Sequence, residues 1–177
     1  MIRVLGLGNV LMGDDGFGPF VVRVMDATYE SGGDIEFVDA GTPGLDLTPY
    51  LLGVDAVIFV DTVKSDGQPG DLRVYDRSDI LRHPPQARTG GHDPALKEAL
   101  LTVDAVGGGP KHVTLVGVIP AWVATSVVLS PPVEAAVGRA IGAVALAIDG
   151  LGGTLKRRAH ALEPDIWWAR DSLTLNR

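Results

Sequence analysis

Ile2-Arg3-Val4-Leu5-Gly6-Leu7-Gly8-Asn9-Val10-Leu11-Met12-Gly13-Asp14-Asp15-Gly16-Phe17-Gly18-Pro19 is the stretch from which the fold is read. Ile2 to Leu7 is a short apolar run that meets glycine at Gly6 and Gly8. It reads as a buried strand entering a tight loop. Two acids follow, then Pro19 and an apolar periodicity at Phe17, Val21, Val24 and Thr28. This marks a helix start, with acids at its N-terminus and proline in its first turn.

The same alternation continues down the chain. Ile35 to Val38 reads as a second strand ending at Asp39, Leu45 to Leu52 as a short helix, and Ala56 to Val60 as a third strand ending at Asp61. Two right-handed crossovers make these three strands parallel. Asp71 to Asp76 alternates apolar and polar residues, as a half-exposed strand does. The link before it, with Ser65-Asp66-Gly67-Gln68-Pro69-Gly70, has room for a turn but not a helix, so strand four is expected to be antiparallel and at an edge. Arg77 to Gly91 reads as a polar loop. Asp93-Pro94 opens a helix with Leu96, Leu100 and Val103 on one face, His112 to Ile119 is a fifth strand, and Ser130-Pro131-Pro132 opens the longest helix. The expectation is one α/β domain over residues 1–150 and a C-terminal tail over 151–177, docked or flexible.

Composition narrows the functions. The 177 residues are 46% hydrophobic and 21% charged, which suits one globular domain. A net charge of -7 lacks the electrostatic footprint of a nucleic-acid binder. With no cysteine, disulfides, thiolate nucleophiles and zinc–thiolate sites are excluded, and a cytoplasmic location fits. The apolar stretch Val113 to Leu129 contains Pro120 and polar residues and falls short of a membrane span, so no membrane partner is expected.

Chemistry concentrates at the strand ends. In open parallel sheets ligands bind at the carboxyl ends of the strands, and three strands deliver acids there: Asp14 and Asp15, Asp39, and Asp61. Clustered carboxylates resist joint ionisation unless a cation joins them. His92 is the expected fourth member. It lies just before a helix N-terminus, which disfavours an imidazolium and so favours the neutral ring that ligates metals. One nitrogen and two carboxylates suit a borderline ion such as nickel or zinc. Each acid has a plainer reading: a helix cap for Asp14 or Asp15, a turn closed through Gly41 and Thr42 for Asp39, backbone amides for Asp61. His83, His112 and His160 read as solvated surface. No nucleophile elbow, zincin helix or P-loop occurs. Gly6-x-Gly8 followed by an acid after strand two imitates a dinucleotide-binding fingerprint, but the third glycine position is Leu11, and two acids stand where pyrophosphate would sit.

The stretch from Gly6 to Pro19, with Asp39-Ala40-Gly41-Thr42, Val60-Asp61, Gly91-His92 and Leu115-Val116-Gly117-Val118-Ile119-Pro120 in that order, resembles the endopeptidases that mature nickel-iron hydrogenases. The resemblance implies a three-layer αβα sandwich around a mixed, mainly parallel five-stranded sheet with one antiparallel edge strand. It implies removal of a C-terminal extension from a hydrogenase large-subunit precursor. The nickel would be carried by that precursor, and no organic cofactor would take part. Metal contacts carry over onto Asp15, Asp61 and His92, catalytic carboxylates onto Asp15, Asp39 and Asp61, and substrate contacts onto Gly41 and Thr42. Asp15 stands where the family sometimes has glutamate, which shortens its reach. Two carboxylates and one imidazole leave coordination positions open for cysteine thiolates of the precursor. The alternative within the same chemistry is a non-catalytic nickel-binding or chaperone-like module. Trp167-Trp168 are costly to expose and are expected to dock on the domain or on a partner.

Overall fold

Side chains alternate across a strand, so a strand apolar at nearly every position must be covered on both faces. A computed structural model describes residues 1–30, 33–43, 47–82 and 92–170, with the backbone alone at 92–95. The elements run β1 (Ile2–Leu7), α1 (Phe17–Thr28), β2 (Ile35–Gly41), α2 (Thr48–Leu51), β3 (Ala56–Thr62), β4 (Leu72–Asp76), α3 (Arg77–Arg82), α4 (His92–Ala105), β5 (His112–Val118), α5 (Pro131–Glu134) and α6 (Val137–Gly150). The sheet order is β2-β1-β3-β5-β4. The first four of these pair in parallel and β4 runs antiparallel to β5 at the edge, as the short link before it required.

Alternation then sorts the core in two. Ile2 and Val4 of β1, Ile58 and Val60 of β3, and Val116 and Val118 of β5 pack with Phe17, Val21, Val22 and Met25 of α1 and Ala140, Val144 and Ile148 of α6. Leu5 and Leu7, Val57 and Phe59, and Val113 and Leu115 face the other way, onto Leu51 of α2 and Leu96, Leu100 and Val103 of α4. The result is the expected three-layer arrangement. Each fully buried large side chain contributes roughly 1.5–3 kcal/mol of transfer free energy.

The α1 stripe differs by one step from the expected one: Val22 and Met25 are buried and Val24 is only half-buried. Gly18 lies where α1 approaches the sheet most closely. A Cβ on Gly18 would lie 2.2 Å from the Val60 carbonyl and 2.3 Å from that of Leu7, and one on Gly6 would lie 2.5 Å from the Gly18 carbonyl. These two glycines let the first turn of α1 rest on the backbone of β1 and β3.

Three further expectations need correction. Residues 77–82 form helix α3 rather than loop: Asp76 Oδ1 accepts from the Asp79 amide at 2.8 Å and Asp79 Oδ2 from the Asp76 amide at 3.3 Å, a reciprocal cap. Helix α4 begins at His92, two residues before Pro94, the first helical position expected after an Asp93 cap, while residues 83–91 lie outside the described residues. The helix opened by Ser130 is interrupted after Glu134 and resumes at Val137. Pro131–Gly150 has the length and composition of a membrane span, and its stripe from Val133 to Ile148 is buried in the core.

The tail docks through its described part. The Lys156 carbonyl accepts from the Glu30 amide at 2.8 Å, and the Arg158 and Leu162 amides donate to Thr28 and Ala27 carbonyls, both at 2.9 Å. Trp167 and Trp168 meet edge to face at 5.7 Å between ring centroids, with Trp167 exposed and Trp168 half-buried.

Candidate functional site

The link from β1 to α1 closes as a single 3-10 turn, Gly13–Gly16, and all four of its residues are buried. Glycine is required on its approach. Gly8 adopts φ 129°, and a Cβ there would lie 1.8 Å from the Asp15 carbonyl oxygen. The glycines that imitated a dinucleotide fingerprint therefore serve internal contacts: Gly6 seats α1 and Gly8 makes room for Asp15. That accounts for them without a phosphate.

Asp15 is 7% exposed and its carboxylate is held from two directions. Oδ2 accepts from the Asn9 amide at 2.9 Å, and Oδ1 accepts from the Thr62 hydroxyl at 3.3 Å. Thr62 is the last residue of β3, immediately after Asp61. Asp61 Oδ1 accepts from the Thr62 amide at 2.7 Å. Asp15 and Asp61 thus meet the same residue, one through its hydroxyl and the other through its amide. Asp61 shares the strand parity of Val57 and Phe59, which face α4, and the first residue of α4 is His92. The His92 side chain lies outside the described residues.

Asp39 is placed differently. It shares the parity of Ile35 and Phe37, which belong to the α1 side of the sheet. Its Oδ2 pairs with Arg23 of α1 at 3.2 Å and its Oδ1 closes the turn onto the Gly41 amide at 3.1 Å. Gly41 itself takes φ 59°, and its carbonyl accepts from the Gly8 amide at 2.8 Å, tying the end of β2 to the β1 loop. Thr42 follows it outside the strand. Among the described residues no three Asp, Glu or His side chains form a group able to hold a metal, so the expected convergence of Asp15, Asp39 and Asp61 is not formed. Arg23 holds Asp39 at the end of β2, and Asp61 takes the opposite strand parity from Thr62, whose hydroxyl holds Asp15.

Asp14, expected as a helix cap or as one more acid at the edge, does neither. It is fully buried and accepts four hydrogen bonds: from the Ser130 amide at 2.6 Å, the Ser130 hydroxyl at 2.8 Å, the Ala121 amide at 2.8 Å and the Trp122 amide at 3.1 Å. Four donors from one loop compensate the desolvation of a single carboxylate. The 119–130 loop is clamped to the same turn by its backbone, through Gly13 N to Ser126 O at 2.8 Å and Ser126 N to Leu11 O at 3.0 Å. The adjacent acids Asp14 and Asp15 thus divide the work: Asp14 anchors the loop after β5, while Asp15 faces the end of β3.

The sequence profile of the hydrogenase maturation protease family matches residues 19–147. The hydrogenase expression/formation protein HupD of Bradyrhizobium diazoefficiens is 30% identical over 165 residues, covering 91% of this chain and 84% of that protein. The hydrogenase 2 maturation protease of Escherichia coli is 30% identical over 148 residues, covering 83% of this chain and 90% of that protein. Among solved structures, the hydrogenase maturating endopeptidase HybD from E. coli superposes with a TM-score of 0.82 at 29% identity, over 89% of this chain and 98% of that one.

Proposed function

The chain belongs to the hydrogenase maturation protease family, and on that premise we propose that it removes the C-terminal extension of a nickel-iron hydrogenase large-subunit precursor whose own nickel is held by Asp15, Asp61 and His92. The observation that carries this reading is the shared partner Thr62. Carboxylates from two separate βα junctions meet it, Asp15 at its hydroxyl and Asp61 at its amide. The start of α4 at His92, on the sheet face that Asp61 shares, supports adding one imidazole. Such a set offers a substrate-borne ion three protein ligands and leaves its remaining positions to the precursor.

Cleavage adds water across one peptide bond. The water oxygen attacks the scissile carbonyl carbon, one of its protons passes to a carboxylate, and that carboxyl group returns the proton to the leaving amine as the C–N bond breaks; a nickel ion carried by the precursor would supply Lewis-acid polarisation there. Holding the ion fixes the precursor, so the scissile bond is presented in a set register rather than by sequence contacts alone. Mass spectrometry of a nickel-loaded precursor, incubated with wild type, Asp15→Asn or His92→Ala, tests the assignment. Loss of the C-terminal peptide is expected with wild type and a large drop with both variants. Wild-type rates in both would overturn the ligand set, and equal cleavage of a nickel-free precursor would overturn the nickel dependence.

A further inference from the structure

A cavity of about 160 Å³ lies on the outer side of the Gly13–Gly16 turn, between it, the 127–129 segment and the C-terminal tail. Gly13 and Gly16, three residues apart and therefore aligned in a 3-10 turn, both line it. They bracket Asp14 and Asp15, so a chain seated in the cavity lies beside the site described above. Its walls include Val10, Phe20, Leu129, Ile166 and Trp168. Glu134 is the single charged residue among those that line it. Glu134 is exposed to solvent, and its side chain makes no ion pair or hydrogen bond with any described residue.

We propose that this cavity is a subsite for one basic side chain, arginine or lysine, of the precursor. The proposal rests on the function given above and deepens it by naming a recognition contact away from the nickel. Charge and shape complementarity argue for this occupant. Apolar walls, Trp168 among them, suit the aliphatic stem of a long cationic side chain, and Glu134 supplies the counter-charge. A purely apolar side chain would leave the Glu134 charge unmatched, and an acidic one would meet it with like charge. As a first-turn acid of α5, Glu134 also suits the helix dipole, but that role needs neither a cavity nor an indole. The tail has a task in this arrangement: Ile166, Trp168 and Ala169 complete the wall.

Two measurements on the full chain test the subsite and keep it separable from the function. First, the Trp168 indole N–H resonance is followed while acetyl-arginine methylamide or acetyl-norleucine methylamide is added. A saturable shift with the arginine compound, at least about fivefold weaker with norleucine and lost in Glu134→Gln, is expected. An equal response to both compounds, or no response, overturns the proposal. A shift driven by protein concentration alone assigns the cavity to a second copy of this chain and also overturns it. Second, with nickel-loaded precursor, Glu134→Gln is expected to raise KM about tenfold at unchanged kcat, less so at high salt. An unchanged KM overturns the subsite while leaving the protease reading intact. A wild-type enzyme that cleaves no precursor refutes the protease reading, while the indole titration still decides the subsite.

Discussion

Ser130 gives both its amide and its hydroxyl to the Asp14 carboxylate, at 2.6 and 2.8 Å, across 116 residues of sequence. With the Ala121 and Trp122 amides the carboxylate receives four donors, and it is fully buried. This one side chain fixes where the loop after β5 stands relative to the turn that carries Asp15.

Replacing Asp14 by asparagine therefore turns an amide group toward donors that need acceptors. At least one buried N–H loses its partner, at about 1–3 kcal/mol for the desolvated group, and the charge-assisted strength of the others falls as well. Asp14→Asn is expected to lower the urea unfolding free energy by about 2–4 kcal/mol with an unchanged m-value. A loss below about 0.5 kcal/mol would mean that the four bonds contribute little net stability.

Gly8 is the second place where the turn depends on one residue. With φ 129° and the Asp15 carbonyl oxygen 1.8 Å from any Cβ, alanine fits neither the backbone conformation nor the space. Gly8→Ala is expected to displace Asp15 and cost about 3 kcal/mol or more, against a small effect for Gly138→Ala, whose Cβ would meet nothing within 4 Å. Thermal melts of the two variants side by side check this. Equal melting temperatures would refute the close approach.

Much of this architecture was legible in the sequence, because strand ends and glycine loops are local signals. Apolar runs bounded by Gly8, Asp39 and Asp61 placed β1, β2 and β3, and the short link before Leu72 made β4 antiparallel. What could not be read was long-range. Asp14 finds Ser130 only once β5 has returned the chain to β1, and no spacing encodes that. Asp39 looked equivalent to Asp15 and Asp61 because each follows a strand. Counting parity back from Ile35 and Phe37 would have put it on the α1 face, and Arg23, two residues beyond Val21 of the buried stripe, was the available clue. Helix α3 carries a local signal too, since Asp76 and Asp79 have capping-box spacing, but its polar composition masks the helix.

The Arg23–Asp39 pair yields a prediction that separates structure from catalysis. Arg23 is 31% and Asp39 15% exposed on the side chain, so the pair is neither fully solvated nor dry. A double-mutant cycle with Arg23→Met and Asp39→Asn is expected to give a coupling of about 0.5–1 kcal/mol in stability, reduced in high salt. If Asp39 also takes part in cleavage, Asp39→Asn loses far more activity than Arg23→Met. Equal, small losses would confine Asp39 to holding the end of β2.

Thr62 is the sharpest test of the site, because it touches both candidate carboxylates without being a candidate itself. Its hydroxyl donates to Asp15 Oδ1 at 3.3 Å and its amide to Asp61 Oδ1 at 2.7 Å. Valine keeps the shape and the backbone amide but deletes the hydroxyl, while serine keeps the hydroxyl and deletes a methyl group. If the hydroxyl orients Asp15 for an ion, Thr62→Val loses about tenfold or more in the cleavage rate of a nickel-loaded precursor, because small misplacements of a positioned group are costly. Its stability falls by about 1.5–3 kcal/mol, the net worth of one bond to a charged acceptor. Thr62→Ser should recover most of the rate even though it removes more apolar contact, an order of effects that core packing alone would reverse. Rates that follow stability, with serine worse than valine, would assign Thr62 to packing and leave Asp15 and Asp61 without a common organiser.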